Sequence, residues 1–210
     1  MSSPKIVAVI ASSAELQSAS LMRRAPDLYE LRLDMIQPAQ HKLVRTQPLI
    51  ITARHRAEGG AQQLSSRERR RLLGLYSGSA SYVDVELRSV PYFRELLSSE
   101  VTKIISLHDL QATPSLAILR TKLERATAAG ADIFKVATRV THRAELDRLL
   151  RFFDEASPIV PIAAMGIGRL GRESRIELAR RGSVLNYGYI SRPQAPGQLS
   201  VAELHRLMGR

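Results

Sequence analysis

The sequence contains no cysteine and no tryptophan. Without cysteine the chain can form no disulfide framework, no thiolate nucleophile and no cysteine-based metal site. This absence fits a reducing compartment, and we expect the protein in the cytoplasm. Aromatic residues make up only 5% of the chain, which leaves little material for stacking on nucleic-acid bases.

Long apolar runs are missing as well. The apolar segment closest to the N-terminus, residues 6–10, is too short for a membrane span or a signal peptide. The composition is 44% hydrophobic, enough to bury a full core, and no linker-like or charge-rich block divides the 210 residues. We therefore expect residues 1–210 to form a single compact domain with no membrane partner.

Acidic residues are few, with 20 against 31 basic ones, so the formal net charge is +11. The densest basic run, residues 67–71, raises the hypothesis of a nucleic-acid-binding protein. The other arginines are dispersed along predicted helices, and no recognised nucleic-acid-binding motif is present. We interpret the charge as a solvated, arginine-rich surface that attracts a small anionic substrate, and we expect no nucleic-acid partner.

Strand-like and helix-like segments alternate eight times along the chain. The strand candidates are short and most are rich in Val, Ile, Leu or Tyr, as buried parallel strands are. They are Lys5–Ala11, Leu28–Leu33, Leu49–Ala53, Tyr82–Val85, Lys103–Ser106, Ile133–Ala137, Ile159–Ala164 and Val184–Tyr187.

This alternation predicts an α/β fold, a (β/α)8 TIM barrel. The alternative is an open, doubly wound sheet. A sheet of that kind that binds a dinucleotide has a Gly-x-Gly-x-x-Gly turn after its first strand, and residues 11–14 read Ala-Ser-Ser-Ala. We therefore favour the barrel.

Lys135 lies within an apolar strand candidate and is the most informative residue of the sequence. Five of the 31 basic residues are lysines, and this one alone has apolar residues at two positions on both sides. Burial disfavours the charged ammonium, and a neutral amine is a nucleophile that can form a Schiff base with a ketone or aldehyde. The alternative is a strand-end lysine whose amine reaches solvent along its aliphatic stem.

Charged residues also cluster where predicted strands end, the edge of a barrel at which chemistry takes place. Alternation within the second strand sends Glu30, Arg32 and Asp34 to one side. Burying three charges on one face is costly unless they are paired or functional. The later strand ends carry Arg54 with Glu58, then Asp84 with Glu86, and then Ser106 with His108.

His108 differs from the other histidines by its position at the end of a strand. It belongs to the strand before that of Lys135, so the two side chains are expected to be neighbours. A histidine next to an iminium can remove a proton from the adjacent carbon and return it to a leaving hydroxyl. The remaining histidines lie in polar, helical or loop contexts and look ordinary: His41, His55, His142 and His205.

Seven motifs that occur in order at strand ends together resemble the type I 3-dehydroquinate dehydratases, the Schiff-base enzymes of the shikimate pathway. The resemblance spans nearly the whole chain. Its motifs are Glu30-Leu31-Arg32-Leu33-Asp34, Arg54 with Glu58-Gly59-Gly60, Asp84-Val85-Glu86, Ser106-Leu107-His108-Asp109, Phe134-Lys135-Val136-Ala137, Met165-Gly166 through Gly171 to Ser174-Arg175, and Ala195-Pro196-Gly197-Gln198.

The resemblance implies a hydro-lyase that acts in aromatic amino acid biosynthesis. It implies that Lys135 forms an imine with the C3 ketone of 3-dehydroquinate and that His108 removes a C2 proton and then protonates the departing C1 hydroxyl. Glu58 would orient and charge-tune His108. No metal and no organic cofactor is required, and a homodimer is a possible assembly. The residues implied in substrate binding are Glu30, Arg32, Arg54, Arg175, Gln194 and Gln198.

Three positions depart from the family pattern. Gln194 stands where the family often has serine, Ile167 replaces the second methionine of a Met-x-Met pair, and Tyr187 replaces a frequent phenylalanine. These departures concern substrate affinity and the contacts of a lid. Residues 195–197, Ala-Pro-Gly, predict a turn-rich mobile segment that covers the site.

Two other functions are compatible with parts of the sequence. A class I aldolase would keep the Schiff base on Lys135 and bind a sugar phosphate, but residues 186–189, Asn-Tyr-Gly-Tyr, make a poor phosphate cup. A basic nucleic-acid-binding barrel would use the fold only as a scaffold. Its binding would depend on salt and would not depend on Lys135.

Overall fold

The computed structural model describes residues 3–37, 39, 47–97 and 100–209 of the chain. Within these ranges it contains eight β-strands, and the (β/α)8 TIM barrel predicted from the sequence is confirmed. His41 and Lys42 lie outside the described residues. The strands are β1 (Lys5–Ile10), β2 (Leu28–Arg32), β3 (Leu49–Thr52), β4 (Tyr82–Glu86), β5 (Thr102–Asp109), β6 (Ile133–Arg139), β7 (Ile162–Ile167) and β8 (Leu185–Tyr189).

Seven α-helices lie within the described residues. The predicted helix between β2 and β3 falls largely on residues outside them. Two 3₁₀ turns, Arg56–Glu58 and Val90–Tyr92, follow β3 and β4. The helices are α1 (Ser13–Ser20), α2 (Ser66–Ser77), α3 (Arg94–Leu97), α4 (Leu116–Ala128), α5 (Arg143–Ala156), α6 (Gly171–Arg180) and α7 (Val201–Leu207).

All strand pairs are parallel, and the sheet order is β7-β6-β5-β4-β3-β2-β1-β8. The two ends of this order meet, because the backbone N–H of Val184 donates to the carbonyl of Ile162 at 3.0 Å. An open, doubly wound sheet is therefore the wrong architecture. In a closed parallel barrel, all strands point their carboxyl ends to the same rim.

The core has an outer and an inner layer, as the alternation of side chains along a strand requires. Outward residues such as Leu31, Val85 and Val136 pack beneath the helices. Inward residues such as Val7, Ile50 and Ile104 fill the lower part of the barrel. The inward side chains nearer the carboxyl ends are polar, and this change along the barrel axis creates the site.

The predicted start of the seventh strand was wrong. Ile159 is 70% exposed and precedes the strand, which begins at Ile162. Pro161 lies between them and has no N–H to donate to a ladder. Strands β5 and β6 extend two to three residues further than predicted, to Asp109 and Arg139. No helix in the described ranges is long and apolar enough to cross a membrane.

Candidate active site

A cavity of about 530 Å³ opens at the carboxyl-terminal ends of the strands. The nine site residues named from the sequence all line it, although they come from six strands or the segments that follow them. They are Glu30, Arg32, Arg54, Glu58, His108, Lys135, Arg175, Gln194 and Gln198.

Lys135 is buried, with 3% of its surface exposed, so its predicted burial is confirmed. The Nζ atom lies 3.1 Å from Glu30 Oε1 and 2.9 Å from Asp84 Oδ2, and 3.8 Å from the centroid of the Tyr187 ring. The sequence neighbours of Lys135 are apolar, but other strands bring two carboxylates and an aromatic face to the amine, and all three stabilise a positive charge.

Asp84 links Lys135 to Arg54. Its Oδ2 accepts hydrogen bonds from Lys135 and from Arg54 Nη2 at 2.9 Å each, and its Oδ1 accepts one from Ser106 Oγ at 2.6 Å. Burial raises the pKa of this carboxyl, but the charges of Arg54 and Lys135 outweigh burial and hold the pKa well below its usual range. Asp84 is therefore a fixed negative charge beside the amine.

Arg54 contacts polar side chains of the adjacent strands β4 and β5. In addition to Asp84, its Nη1 donates to Ser106 Oγ at 2.8 Å and lies 3.4 Å from Glu86 Oε1. Burial lowers the pKa of this guanidinium. The negative charges of Asp84 and Glu86 raise the pKa by more than burial lowers it, so the net shift is upward. Arg54 thus holds the carboxylates of β4 in place.

Arg69 is a buried residue of this network that the sequence analysis missed. It belongs to the basic run that we assigned to solvent, but only 1% of it is exposed. Its guanidinium donates to Ala53 O at 2.6 Å and to Ser89 Oγ at 2.9 Å, and it forms an ion pair with Glu86. The assignment of the whole run to the surface was therefore wrong at this position, because one face of α2 packs on the barrel.

His108 contacts Glu58 through two groups. Its backbone N–H donates to Glu58 Oε2 at 2.8 Å, and its Nδ1 lies 3.1 Å from the same oxygen. Arg54 Nη1 lies 3.3 Å from Nδ1 as well. In the described part of the chain Nε2 makes no hydrogen bond, so this nitrogen is left for a ligand in the cavity.

The pKa values of Glu58 and His108 are shifted in opposite directions. Burial raises the pKa of Glu58 to about 7, against the opposing charge of Arg54. Burial and the nearby charges of Arg54 and Lys135 lower the pKa of His108 well below its usual value. His108 is therefore neutral near pH 7, as a general base must be, and Glu58 is close to its titration midpoint.

Asp34 fixes the loop that carries Arg54 and Glu58. It forms a two-pronged ion pair with Arg32, with distances of 2.9 and 2.7 Å, and is itself fully buried. Its two oxygens also accept the backbone N–H groups of Arg54 at 3.2 Å and Ala61 at 2.9 Å. Asp34 thus binds both ends of the loop.

Arg175 belongs to α6 and is buried on the β7–β8 side of the cavity, with 8% of its surface exposed. Its Nε donates to Gly166 O at 3.2 Å and its Nη1 to Tyr187 O at 3.4 Å. Among the described residues it has no carboxylate partner, and burial lowers the pKa of this guanidinium to about 10. A buried cation without a counter-ion that faces a cavity is suited to bind an anionic group of a ligand.

Gln198 and Gln194 lie on the segment that covers this side. Gln198 is buried, and its Oε1 accepts the backbone N–H of Gln194 at 2.7 Å. The segment packs closely on the start of α6: Gly168 N donates to Pro196 O at 3.1 Å, and a Cβ on Gly197 would lie 2.6 Å from Arg172 N. Gly197 also has a φ of 85°, which favours glycine.

Two further cavity residues are not among the nine site residues named from the sequence. Tyr187 and Met165 lie on β8 and β7 and face the cavity next to Lys135 and Arg175. Alternation within β8, from Leu185 to Tyr187, indicates the inward direction of the tyrosine. No group of three or more His, Cys, Asp or Glu side chains with the geometry of a metal site occurs among the described residues.

Comparison with known proteins identifies the family. Residues 6–209 match the family described as type I 3-dehydroquinase. The 3-dehydroquinate dehydratase of Methanothrix thermoacetophila is 33% identical over 205 residues, which cover 96% of this chain and 89% of the relative. That of Thermococcus gammatolerans is 33% identical over 211 residues, which cover 95% of each.

Solved structures agree with this assignment. The crystal structure of the type I 3-dehydroquinate dehydratase of Clostridium difficile with covalently modified comenic acid superposes with a TM-score of 0.86 and 26% identity, covering all of this chain and 92% of that one. The enzyme of Geobacillus kaustophilus gives a TM-score of 0.85 at 27% identity, covering 98% and 90%. The chain belongs to the type I 3-dehydroquinase family.

Proposed function

We propose that this protein is a type I 3-dehydroquinate dehydratase, a hydro-lyase that converts 3-dehydroquinate to 3-dehydroshikimate and water in aromatic amino acid biosynthesis. The observation that carries the proposal is the arrangement of one cavity: an amine between two carboxylates, a neutral histidine, and a buried arginine without a counter-ion. Family membership supports the same conclusion.

Lys135 is the nucleophile. Its ammonium passes one proton to Glu30, which lies 3.1 Å away, and the amine then adds to the C3 carbonyl carbon of the substrate. The C3 oxygen leaves as water. Two of the three ammonium protons end on that water, and the iminium keeps the third. The fixed negative charge of Asp84, 2.9 Å from Nζ, stabilises the positive iminium.

His108 is the general base and acid. The iminium withdraws electrons from C2, so that neutral His108 can take a C2 proton and leave an enamine. The enamine electrons then expel the C1 hydroxyl, which takes the proton from His108 and departs as water. Water finally hydrolyses the product imine and frees Lys135. Glu58 orients the ring through Nδ1 and stabilises the imidazolium in the intermediate state.

Arg175 binds the substrate carboxylate, and Gln198 and Gln194 contact the ring hydroxyls. Arg32 completes the wall of the cavity beside the loop that carries Glu58. Arg54 lines the cavity too, but its guanidinium is already engaged by Asp84, Ser106 and Glu86. Its role is therefore to position Asp84 and His108, with at most one edge available to substrate.

We also propose that residues 1–210 form one catalytic domain, that the protein acts in the cytoplasm and that it forms a homodimer. Its partner is a small-molecule substrate, without nucleic acid or membrane. Retention of the chain on nucleic acid at physiological ionic strength, unaffected by Lys135→Ala, would contradict the absence of a nucleic-acid partner. Sedimentation equilibrium would measure the mass of the assembly.

Borohydride trapping tests the reaction and the nucleophile together. Reduction of the protein with 3-dehydroquinate present should fix one ligand equivalent, which peptide mapping should locate on Lys135. Without ligand no adduct should form, and a sugar-phosphate ketone should trap poorly, which separates this enzyme from an aldolase. Lys122→Ala is the matched control and should trap like the wild type. An unchanged adduct in Lys135→Ala would overturn the assignment.

A further inference from the structure

Among the described residues that line the cavity, the hydroxyl of Tyr187 is the one buried polar side-chain group that makes no hydrogen bond. Tyr187 is 5% exposed. Leaving a hydroxyl buried without a partner costs free energy, on the order of 1–3 kcal/mol. A phenylalanine would fill the same space without that cost, so the hydroxyl calls for an explanation in another state of the site.

The surroundings of Tyr187 indicate that state. Its ring lies against Lys135, with 3.8 Å between Nζ and the ring centroid. Burial raises the pKa of its hydroxyl well above the usual value, and the negative charges of Glu30 and Asp84 add to this shift. The hydroxyl therefore stays protonated and can donate a hydrogen bond. Glu30 is near it, because the Tyr187 ring and Glu30 Oε1 contact the same Nζ atom, Glu30 at 3.1 Å.

The number of hydrogen-bond donors on Lys135 changes during the reaction. As an ammonium it has three N–H groups and donates to both Glu30 and Asp84. As a protonated imine it has one N–H and can donate to a single carboxylate. One carboxylate must then lose a donor, and a buried carboxylate without a donor is costly.

Glu30 is the carboxylate that keeps fewer hydrogen bonds when Lys135 no longer donates to it. Asp84 keeps two hydrogen bonds from Arg54 and one from Ser106 whether or not Lys135 donates to it. Within the described residues, Glu30 keeps only the hydroxyl of Thr52, at 3.2 Å. The imine N–H is better placed with Asp84, whose charge is fixed, and Glu30 is then short of a donor.

We propose that Tyr187 is a positioning residue for the imine states: its hydroxyl, free in the unliganded site, donates to Glu30 once Lys135 has become an iminium. Tyr187 thereby stabilises covalent intermediates without a corresponding interaction in the free enzyme, and differential stabilisation of this kind raises kcat. The inference rests on the proposed function of Lys135 as the Schiff-base residue.

Tyr187→Phe tests the inference, since it removes one oxygen and keeps the ring over Lys135. We expect kcat to fall roughly tenfold or more, because hydrogen bonds to charged groups are the stronger ones, while KM changes less than kcat. The fraction of protein trapped by borohydride at saturating 3-dehydroquinate should fall as well. Tyr92→Phe, the same change at a tyrosine that is 60% exposed, is the matched control and should behave like the wild type.

Thermal unfolding separates this role from a structural one. Because the hydroxyl has no hydrogen-bond partner among the described residues, Tyr187→Phe should melt at the same temperature as the wild type or higher. A lower melting temperature with unchanged kcat and trapping would overturn the inference, as would kcat within twofold of the wild type.

A double-mutant cycle with Glu30→Gln tests the partner. If Tyr187 acts through Glu30, the Phe substitution should have a smaller effect on kcat in the Gln background. Additive effects would overturn the assignment to Glu30. The wild-type control separates the two proposals: absence of a Lys135 adduct in the wild type refutes the proposed function itself, whereas normal wild-type trapping with an unaffected Tyr187→Phe refutes only the role of Tyr187.

Discussion

Among the described residues, buried charges are paired with opposite charges on one side of the cavity but not on the other. On the lysine side, Lys135, Arg54, Asp84 and Glu86 neutralise one another through direct contacts. On the other side, Arg175 has carbonyl partners but, within the described residues, no counter-ion. The paired side is organised before a ligand arrives and performs the chemistry in the proposed mechanism, whereas the charge of Arg175 is suited to bind an anionic group.

The largest expected effect comes from removing His108, the proposed base, whose Nδ1 lies 3.3 Å from Arg54 on the paired side. His108→Ala should lower kcat by about 10²–10⁴, the usual contribution of general acid–base catalysis. The amine is a separate group, so borohydride trapping on Lys135 should persist. Steady-state kinetics and peptide mapping measure the two effects, with the exposed His142→Ala as control. Turnover near the wild-type value would remove His108 from the mechanism.

Stability should distinguish the two arginines. Arg54→Met takes a cation from two buried carboxylates and should destabilise the fold by about 3–5 kcal/mol. Arg175→Met removes a buried charge without a counter-ion and should leave stability unchanged or higher. Urea denaturation of both variants measures the difference in the free energy of unfolding. Equal losses would show that the two sides do not differ in the way described.

Replacement of Arg175 should change the affinity for substrate more than it changes the stability of the fold. Arg175→Ala removes a charge-assisted contact, about 1.5–3 kcal/mol, so the apparent affinity for substrate should fall at least tenfold. Arg175→Lys should restore only part of it, because an ammonium cannot form the planar fork. Titration with substrate in Lys135→Ala background measures binding without chemistry, with Arg180→Ala on the same helix as control. Unchanged affinity in both variants would place the carboxylate contact elsewhere.

A smaller effect is expected from pH on the paired side. The folded-state pKa of Glu58 is raised from its ordinary value of 4.5 to about 7, so the folded protein binds this proton more tightly than the unfolded chain. The contribution of Glu58 to stability is therefore present below pH 4.5 and is lost as pH rises to about 7. Glu58→Gln should gain stability relative to the wild type over this window. A difference that is independent of pH would contradict the shift.

Sequence patterns predicted the parts of the site that depend on local periodicity. Alternation in β2 correctly directed Glu30 and Arg32 into the barrel, and strand ends located His108. The contact of Lys135 with Asp84 joins residues 51 positions apart, and it follows from barrel closure rather than from the sequence around either residue. For the same reason the polar surroundings of the lysine were not predicted from its apolar neighbours.

Helix faces gave less information than strands. Leu72 and Leu73 of α2 are buried against the barrel, and Arg69 on the same face was assigned to solvent with the rest of the basic run. Arg69 is buried because Glu86, Ser89 and a backbone carbonyl meet it there. Those partners come from other elements, so no property of the basic run itself distinguishes this residue.

The burial of Arg69 also sets a rule for redesigning the surface of this protein. Its charge of +11 invites substitution of arginines where weaker adsorption to polyanions is wanted. Arg67, Arg70 and Arg71 are exposed and can be exchanged for glutamine or glutamate at little cost to stability. Arg69 cannot be exchanged in this way, because its replacement would leave Glu86 buried without its closest cation. The number of charges in the run does not show this difference between the four arginines.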